Sequence, residues 1–274
     1  MFKIVAKDRI WEFKTPQIMA IMNATQDSFY EGSRVNTIDW AVEKAGKFIQ
    51  EGAQIIDIGG QSTRPGASIH TPQQELNNVL PIIEAVSATY PNLLISVDTF
   101  NSIVAEGALQ AGAHIVNDIS CGMFDENILK VIANYQAAFV GMHITGNQNT
   151  MHVIPDRKDI IQEIIAYFNE KKKALANLGI INWIIDPGFG FGKSIADNFT
   201  IVKNLKDLSS IELPILLGVS RKSSIYKTLN VTAEEALNGT TVLNTVGILN
   251  GVSILRVHDV KEAKEVIELA SYLS

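Results

Sequence analysis

Short apolar runs and longer amphipathic stretches alternate along the whole chain. The runs fall at 18–23, 54–58, 93–98, 114–118, 137–143, 183–186, 215–220 and 252–258. Most are too short for a helix and are rich in Ile and Val, so they predict strands buried on both faces. The stretches at roughly 37–51, 71–90, 100–112, 125–135, 157–178, 195–208, 232–250 and 260–273 carry helical spacing. Thr71-Pro72-Gln73-Gln74 and Thr232-Ala233-Glu234-Glu235 each read as a capping box, the first with proline at the first helical position. Gly52, Gly112 and Gly179 stand where a left-handed residue would end a helix. Pro81 removes a backbone donor inside the second helix and predicts a kink or break there.

Eight strand–helix units in strict alternation predict an α/β fold, a parallel sheet closed as a (β/α)8 TIM barrel, with a doubly wound open sheet as the rival. The first 14 residues read as an N-terminal β-hairpin turning at Lys7-Asp8-Arg9 and plugging the barrel's N-terminal end. All 274 residues fit one such domain, 1–274, with no linker or low-complexity segment. The 46% hydrophobic and 19% charged composition suits doubly buried strands. A net charge of −6 without a basic stripe argues against a nucleic-acid partner. Cys121 is the single cysteine, which excludes an intrachain disulfide and reads as a small buried thiol. Charges at Lys3, Lys7, Asp8 and Arg9 interrupt the opening residues, and no apolar run reaches membrane-spanning length. A cytoplasmic location, away from membranes, is the expectation.

Polar residues recur where the apolar runs end: Asn23, Asp57, Asp98, Asn117 with Asp118, His143, Asp186, Ser220, and Arg256 with His258. In a barrel these ends share one mouth, and that mouth carries the active site. Buried carboxylates and amides are costly without partners, so such a set implies a polar ligand. Asp57 reads equally well as a structural acid, His114 as a structural residue at the opposite end, and His70 and His152 as loop surface. The segments Ser220-Arg221-Lys222-Ser223-Ser224 and Arg256-Val257-His258-Asp259 add positive charge where barrels commonly bind phosphate. In Asp186-Pro187-Gly188-Phe189-Gly190-Phe191-Gly192-Lys193 the glycines permit close backbone approach, and the two phenylalanines are expected to wall a flat ring.

The strings NATQDSF (23–29), GGQSTRPG (59–66), SVDT (96–99), IVND (115–118), DPGFGFGK (186–193), SRKS (220–223) and RVHD (256–259) resemble the dihydropteroate synthase family in order and spacing, over essentially the whole chain. The resemblance implies condensation of 6-hydroxymethyl-7,8-dihydropterin pyrophosphate with p-aminobenzoate, small-molecule partners only, a homodimer, and a sulfonamide target. It implies that Asp186 accepts from the amino group and ring N–H of the pterin, that Asn117 and Asp98 meet the remaining ring nitrogens, and that Lys222 donates to the carbonyl side. Arg256 would stack on the pterin face, with Met142 and Ile119 as floor. Asp98, Lys222 and Arg256 form the implied catalytic set. Asn23, Arg256 and His258 resemble the pyrophosphate site, with Mg2+ bound through Asn23. Thr63, Arg64 and Pro65 resemble the wall over p-aminobenzoate, and Ser223 the contact to its carboxylate. Asp27 reads as a loop-closure or metal-shell residue.

Two positions depart from the family pattern. Gln26 stands where the first loop usually has proline, and Gln61 where the second usually has glutamate. Both touch loop closure and neither removes a pterin contact. Two other functions compete: a pterin-binding methyltransferase serving a corrinoid, and a paralogue that binds without turnover. SRK and RVHD, as basic anchors for anions, argue against the first, and only Gln26 and Gln61 argue for the second.

Overall fold

The barrel strands are buried almost without interruption, as parallel strands with helices on their outer face must be. The computed structural model describes residues 1–7, 9–24, 34–61 and 70–273, with only the backbone of 34–36. Strands β1 (Phe2–Ala6) and β2 (Arg9–Phe13) pair antiparallel from Phe2↔Phe13 to Ala6↔Arg9, with Lys7 at φ 55° in the connection. The barrel strands follow as β3 (Gln17–Asn23), β4 (Ile55–Gly59), β5 (Leu94–Asp98), β6 (Ile115–Asp118), β7 (Ala138–Met142), β8 (Ile184–Asp186), β9 (Leu216–Leu217) and β10 (Ile254–Val257). Their order is β8-β7-β6-β5-β4-β3-β10-β9, all parallel, and the parallel bridge Ile185↔Ile215 joins the two ends. The expected TIM barrel with its hairpin is therefore present, and the open sheet is excluded.

The outer ring comprises α1 (Arg34–Glu51), α2 (Pro72–Thr89), α3 (Ser102–Gln110), α4 (Asn127–Tyr135), α5 (Ile160–Ala176), α6 (Ile195–Lys203), α7 (Ser223–Leu229), α8 (Leu237–Leu249) and α9 (Val260–Ala270). One apolar cluster fills the space between strands and helices. A second, formed by Met19, Ile55, Leu94, Ile115, Val140 and Ile254, is closed from below by Ile4, Ala6 and Trp11 of the hairpin. The plug thus seals the end opposite the polar rim.

Local signals fared unequally. Thr71 makes the full capping box with Gln74, and Gly52, Gly112 and Gly179 take φ of 109°, 114° and 79°. Pro81 does not break α2, which runs unbroken to Thr89. Val79, Ile82, Ile83 and Val86 are all buried on the barrel around it, and that packing outweighs one lost hydrogen bond. At Thr232 only half of the box forms: its N–H donates to Glu235 Oε2 at 2.9 Å within a turn, and α8 starts later, at Leu237. The 195–208 helix is split, giving way after Lys203 to a 3-10 helix, Leu205–Ile211.

Candidate active site

Because every barrel strand points the same way, their polar ends gather at one mouth. Arg256, near the end of β10, reaches across it. Its Nε donates to Asp57 Oδ2 at 2.7 Å and its Nη2 to Asp98 Oδ2 at 2.5 Å. Asn117 Nδ2 donates to the same Asp57 oxygen at 2.9 Å. Asp57 is fully buried and receives both donors, so it orients Asn117 and Arg256 from beneath. These contacts are those of the orienting acid, one of the two readings that the sequence left, and Asp57 Oδ1 makes no hydrogen bond to a described residue. Burial pushes the Asp98 carboxyl up to about 7; Arg256 opposes the shift and Asp57 adds to it. Burial works against the Arg256 charge, but Asp57 and Asp98 outweigh it and hold the guanidinium above its usual range.

On the other side Asp186 ends β8. Its Oδ1 accepts from Gly188 N at 2.7 Å, and its carbonyl accepts from His143 N at 2.8 Å. Burial raises its pKa, against the pull of Lys222 and the Gly188 N–H. Lys222 Nζ donates to Phe189 O at 2.5 Å and lies 4.9 Å from the centre of the Phe191 ring. Burial brings Lys222 down to about 8, Asp186 opposing. Phe100, Ile119, Met142 and Ile144 form a separate apolar cluster, with Phe191 packed against it. Ile119 and Met142, the two residues expected to floor the pocket, both belong to this cluster.

The glycine-rich loop is held by side chains that the sequence reading did not single out. Lys193 is buried and donates to His143 O at 3.2 Å and Phe191 O at 3.1 Å; burial lowers its pKa to about 7, against Asp186. A Cβ on Gly188, at φ 73°, would stand 2.1 Å from His143 O, so only glycine fits there. Arg157 Nη2 donates to Gly192 O at 2.9 Å. Phe189 corrects the expectation of two walls: it is fully buried in the main core, and Phe191 alone faces the pocket cluster. His152 corrects another, because it is half-buried and stacks on Phe191 with ring centres 5.8 Å apart. His70 is likewise half-buried, its Nδ1 3.1 Å from Gly60 O.

Two expected charges are committed elsewhere. Arg221, at φ 53°, grips Asp259 with Nε at 2.8 Å and Nη2 at 2.9 Å, clamping its loop to the start of α9. Asp118 accepts from Ser120 N, Ser120 Oγ and Gly122 N, each at 2.7 Å, and shapes the turn after β6. Ser220 Oγ lies 3.0 Å from His258 Nδ1 and accepts from His258 N at 3.2 Å, joining the last two loops. His143, unassigned by sequence, is buried with Nε2 3.4 Å from Glu163 Oε1 and is held neutral, its pKa lowered by burial to about 2. Cys121 is buried, and burial pushes its thiol up to about 12. Asn23 ends β3 with its side chain exposed at the rim, and Ser223 opens α7. Gln61 Oε1 is buried and makes no hydrogen bond to a described residue. Gln26, Asp27, Thr63, Arg64 and Pro65 lie outside the described residues.

Known proteins share this fold and much of this sequence. The family model described as pterin binding enzyme matches residues 19–258. A dihydropteroate synthase of Escherichia coli (strain K12) is 37% identical over 269 residues, 97% of this chain and 95% of the relative. A Yersinia pestis dihydropteroate synthase solved with a sulfonamide drug complex superimposes with a TM-score of 0.92 at 35% identity, covering 99% of both chains. A Xanthomonas albilineans dihydropteroate synthase solved with 4-aminobenzoic acid gives a TM-score of 0.91 at 34% identity, covering 99% of this chain and 97% of that one.

Proposed function

The chain belongs to the pterin-binding enzyme family and within it to the dihydropteroate synthases, and from that premise we propose how its residues divide the reaction between pterin pyrophosphate and p-aminobenzoate. The observation that carries the reading is a buried carboxylate and amide (Asp186, Asn117) and a half-buried ammonium (Lys222) gathered at one mouth, with Met142 and Ile119 in the apolar cluster beside them. Asp186 accepts the paired N–H groups of the pterin's pyrimidine edge, and Asn117 offers donor and acceptor to its ring nitrogens. Lys222 donates to the carbonyl side. Asp98 stabilises positive charge that develops on the ring, and Arg256 lies on the pterin face.

The carbon–oxygen bond to pyrophosphate breaks first, its electron pair leaving with the pyrophosphate. The aryl amine then bonds to the exocyclic carbon and loses a proton to solvent. An unprotonated aryl amine needs no base, so the residues act by charge stabilisation and positioning. Arg256, His258 and Asn23 receive the pyrophosphate. Asn23, with one neutral amide oxygen at the rim, would hold Mg2+ weakly by itself and appreciably together with the pyrophosphate, and the ion would there supply neutralisation of leaving-group charge. Ser223 meets the aryl carboxylate, and Thr63 and Arg64 close over the ring, where a sulfonamide competes. Exposed Leu229, Val242 and Leu249 on α7 and α8 support a homodimer. Among the described residues no helix is long and apolar enough to cross a membrane, which supports a cytoplasmic enzyme.

Asp186→Asn tests the pocket. It sets a donor against the pterin's donors, and calorimetry should find pterin affinity lowered by at least about a hundredfold. Near-normal affinity would remove Asp186 from this role.

A further inference from the structure

Asn198 of α6 is 1% exposed and touches none of the groups assigned to substrate above. Its amide is nevertheless occupied on both edges. Oδ1 accepts from Gly190 N at 2.7 Å, while Nδ2 donates to Ser224 Oγ at 2.9 Å, Ser194 O at 2.9 Å and Lys193 O at 3.4 Å. A carboxamide accepts on one edge and donates on the other, so this single side chain joins two loops that present opposite needs. Gly190 lies in the loop that begins with Asp186. Ser224 follows Lys222 and Ser223 directly. Arg221 and Ser220 tie that second segment to α8, to the turn before it and to the β10 side, through Thr240, Ala233, Glu234, Asp259 and His258. Toward β8 two hydrogen bonds tie it among the described residues: Lys222 Nζ to Phe189 O, and the Asn198 bridge. Lys222 is the group that turns to substrate, whereas the Asn198 bridge involves none and holds whatever the pocket contains.

We propose that Asn198 is a positioning residue that couples the pterin-side loop 186–193 to the segment bearing Lys222 and Ser223, so that the aryl-carboxylate anchor is in place only while the bridge to Ser224 is intact. The inference rests on the pocket reading above. Ser224→Ala cuts the bridge cleanly, because Nδ2 keeps its two carbonyl acceptors and no buried donor is orphaned. In steady-state assays of the purified full chain, Ser224→Ala should raise the KM for p-aminobenzoate about fivefold and leave kcat and the pterin pyrophosphate KM within about twofold. Asn198→Ala, which also frees the Gly190 N–H, should raise both KM values. Adding Ser224→Ala to it should not raise the p-aminobenzoate KM further. A role confined to stability would lower the thermal midpoint and leave the KM values alone. A p-aminobenzoate KM unchanged in Ser224→Ala, or a rise equal for both substrates, overturns the coupling. Wild-type protein that converts neither substrate overturns the pocket reading instead, so the two failures are distinct.

Discussion

Lys193 is a buried amine hydrogen-bonded to two backbone carbonyls, and its environment gives the site a pH signature. Burial lowers its pKa from 10.5 to about 7. Above the higher value both folded and unfolded chains hold it neutral. As pH falls toward 7 the unfolded chain takes up the proton and the folded chain does not, so the folded state loses stability through that window. Lys193→Met removes this dependence. Urea unfolding should therefore give wild type a larger advantage over Lys193→Met near pH 9.5 than near pH 7.5, changing by up to about 1.4 kcal/mol per pH unit. A constant difference would mean that Lys193 is charged in the fold. The sequence exposed the residues that end strands, because their spacing fixes where they point. It did not reveal the commitments of Arg221, Phe189 or Asn198, whose directions depend on loop dihedrals and on partners from 4 to 38 positions away.

At the scale of elements, the hairpin plug carries its own titration. His114 Nδ1 accepts from Ile95 N at 3.3 Å, and its ring stands edge-on to Trp11, with centres 5.3 Å apart. Burial lowers its pKa to about 4, with Arg9 and Lys7 of the hairpin adding repulsion. The stability that His114 contributes is present above pH 6.5 and is lost as pH falls toward 4, as the unfolded chain protonates first. His114→Gln should flatten the dependence of the urea midpoint on pH between those limits; an unchanged slope would contradict the assignment. Every barrel strand was legible because doubly buried parallel strands leave continuous Ile- and Val-rich runs. Helix starts were less legible. Thr71 caps as its motif predicts, whereas Thr232 makes the same first bond within a turn, and tertiary packing carries α2 through Pro81.

At the scale of the whole molecule, α8 buries Thr240, Asn244 and Gly247 yet leaves Val242 and Leu249 about half exposed, beside Leu229 of α7. A face of that kind calls for a cover, and a second copy of the chain is the cover proposed here. Val242→Glu should convert a sedimenting dimer to monomer at micromolar concentration; a wild-type monomer would exclude this interface. The barrel was legible as eight repeated units, but its closing seam was not. β9 has only two residues, and a single bridge completes the ring.

The central claim is that this mouth joins a pterin to an aryl amine with loss of pyrophosphate. Its most direct test is mass-spectrometric detection of product from purified protein, Mg2+, pterin pyrophosphate and p-aminobenzoate, with each substrate omitted in turn. The account predicts dihydropteroate and one pyrophosphate per product when both substrates are present, and no dihydropteroate when either is left out. No dihydropteroate with both substrates saturating, or its formation without pyrophosphate release, would contradict it.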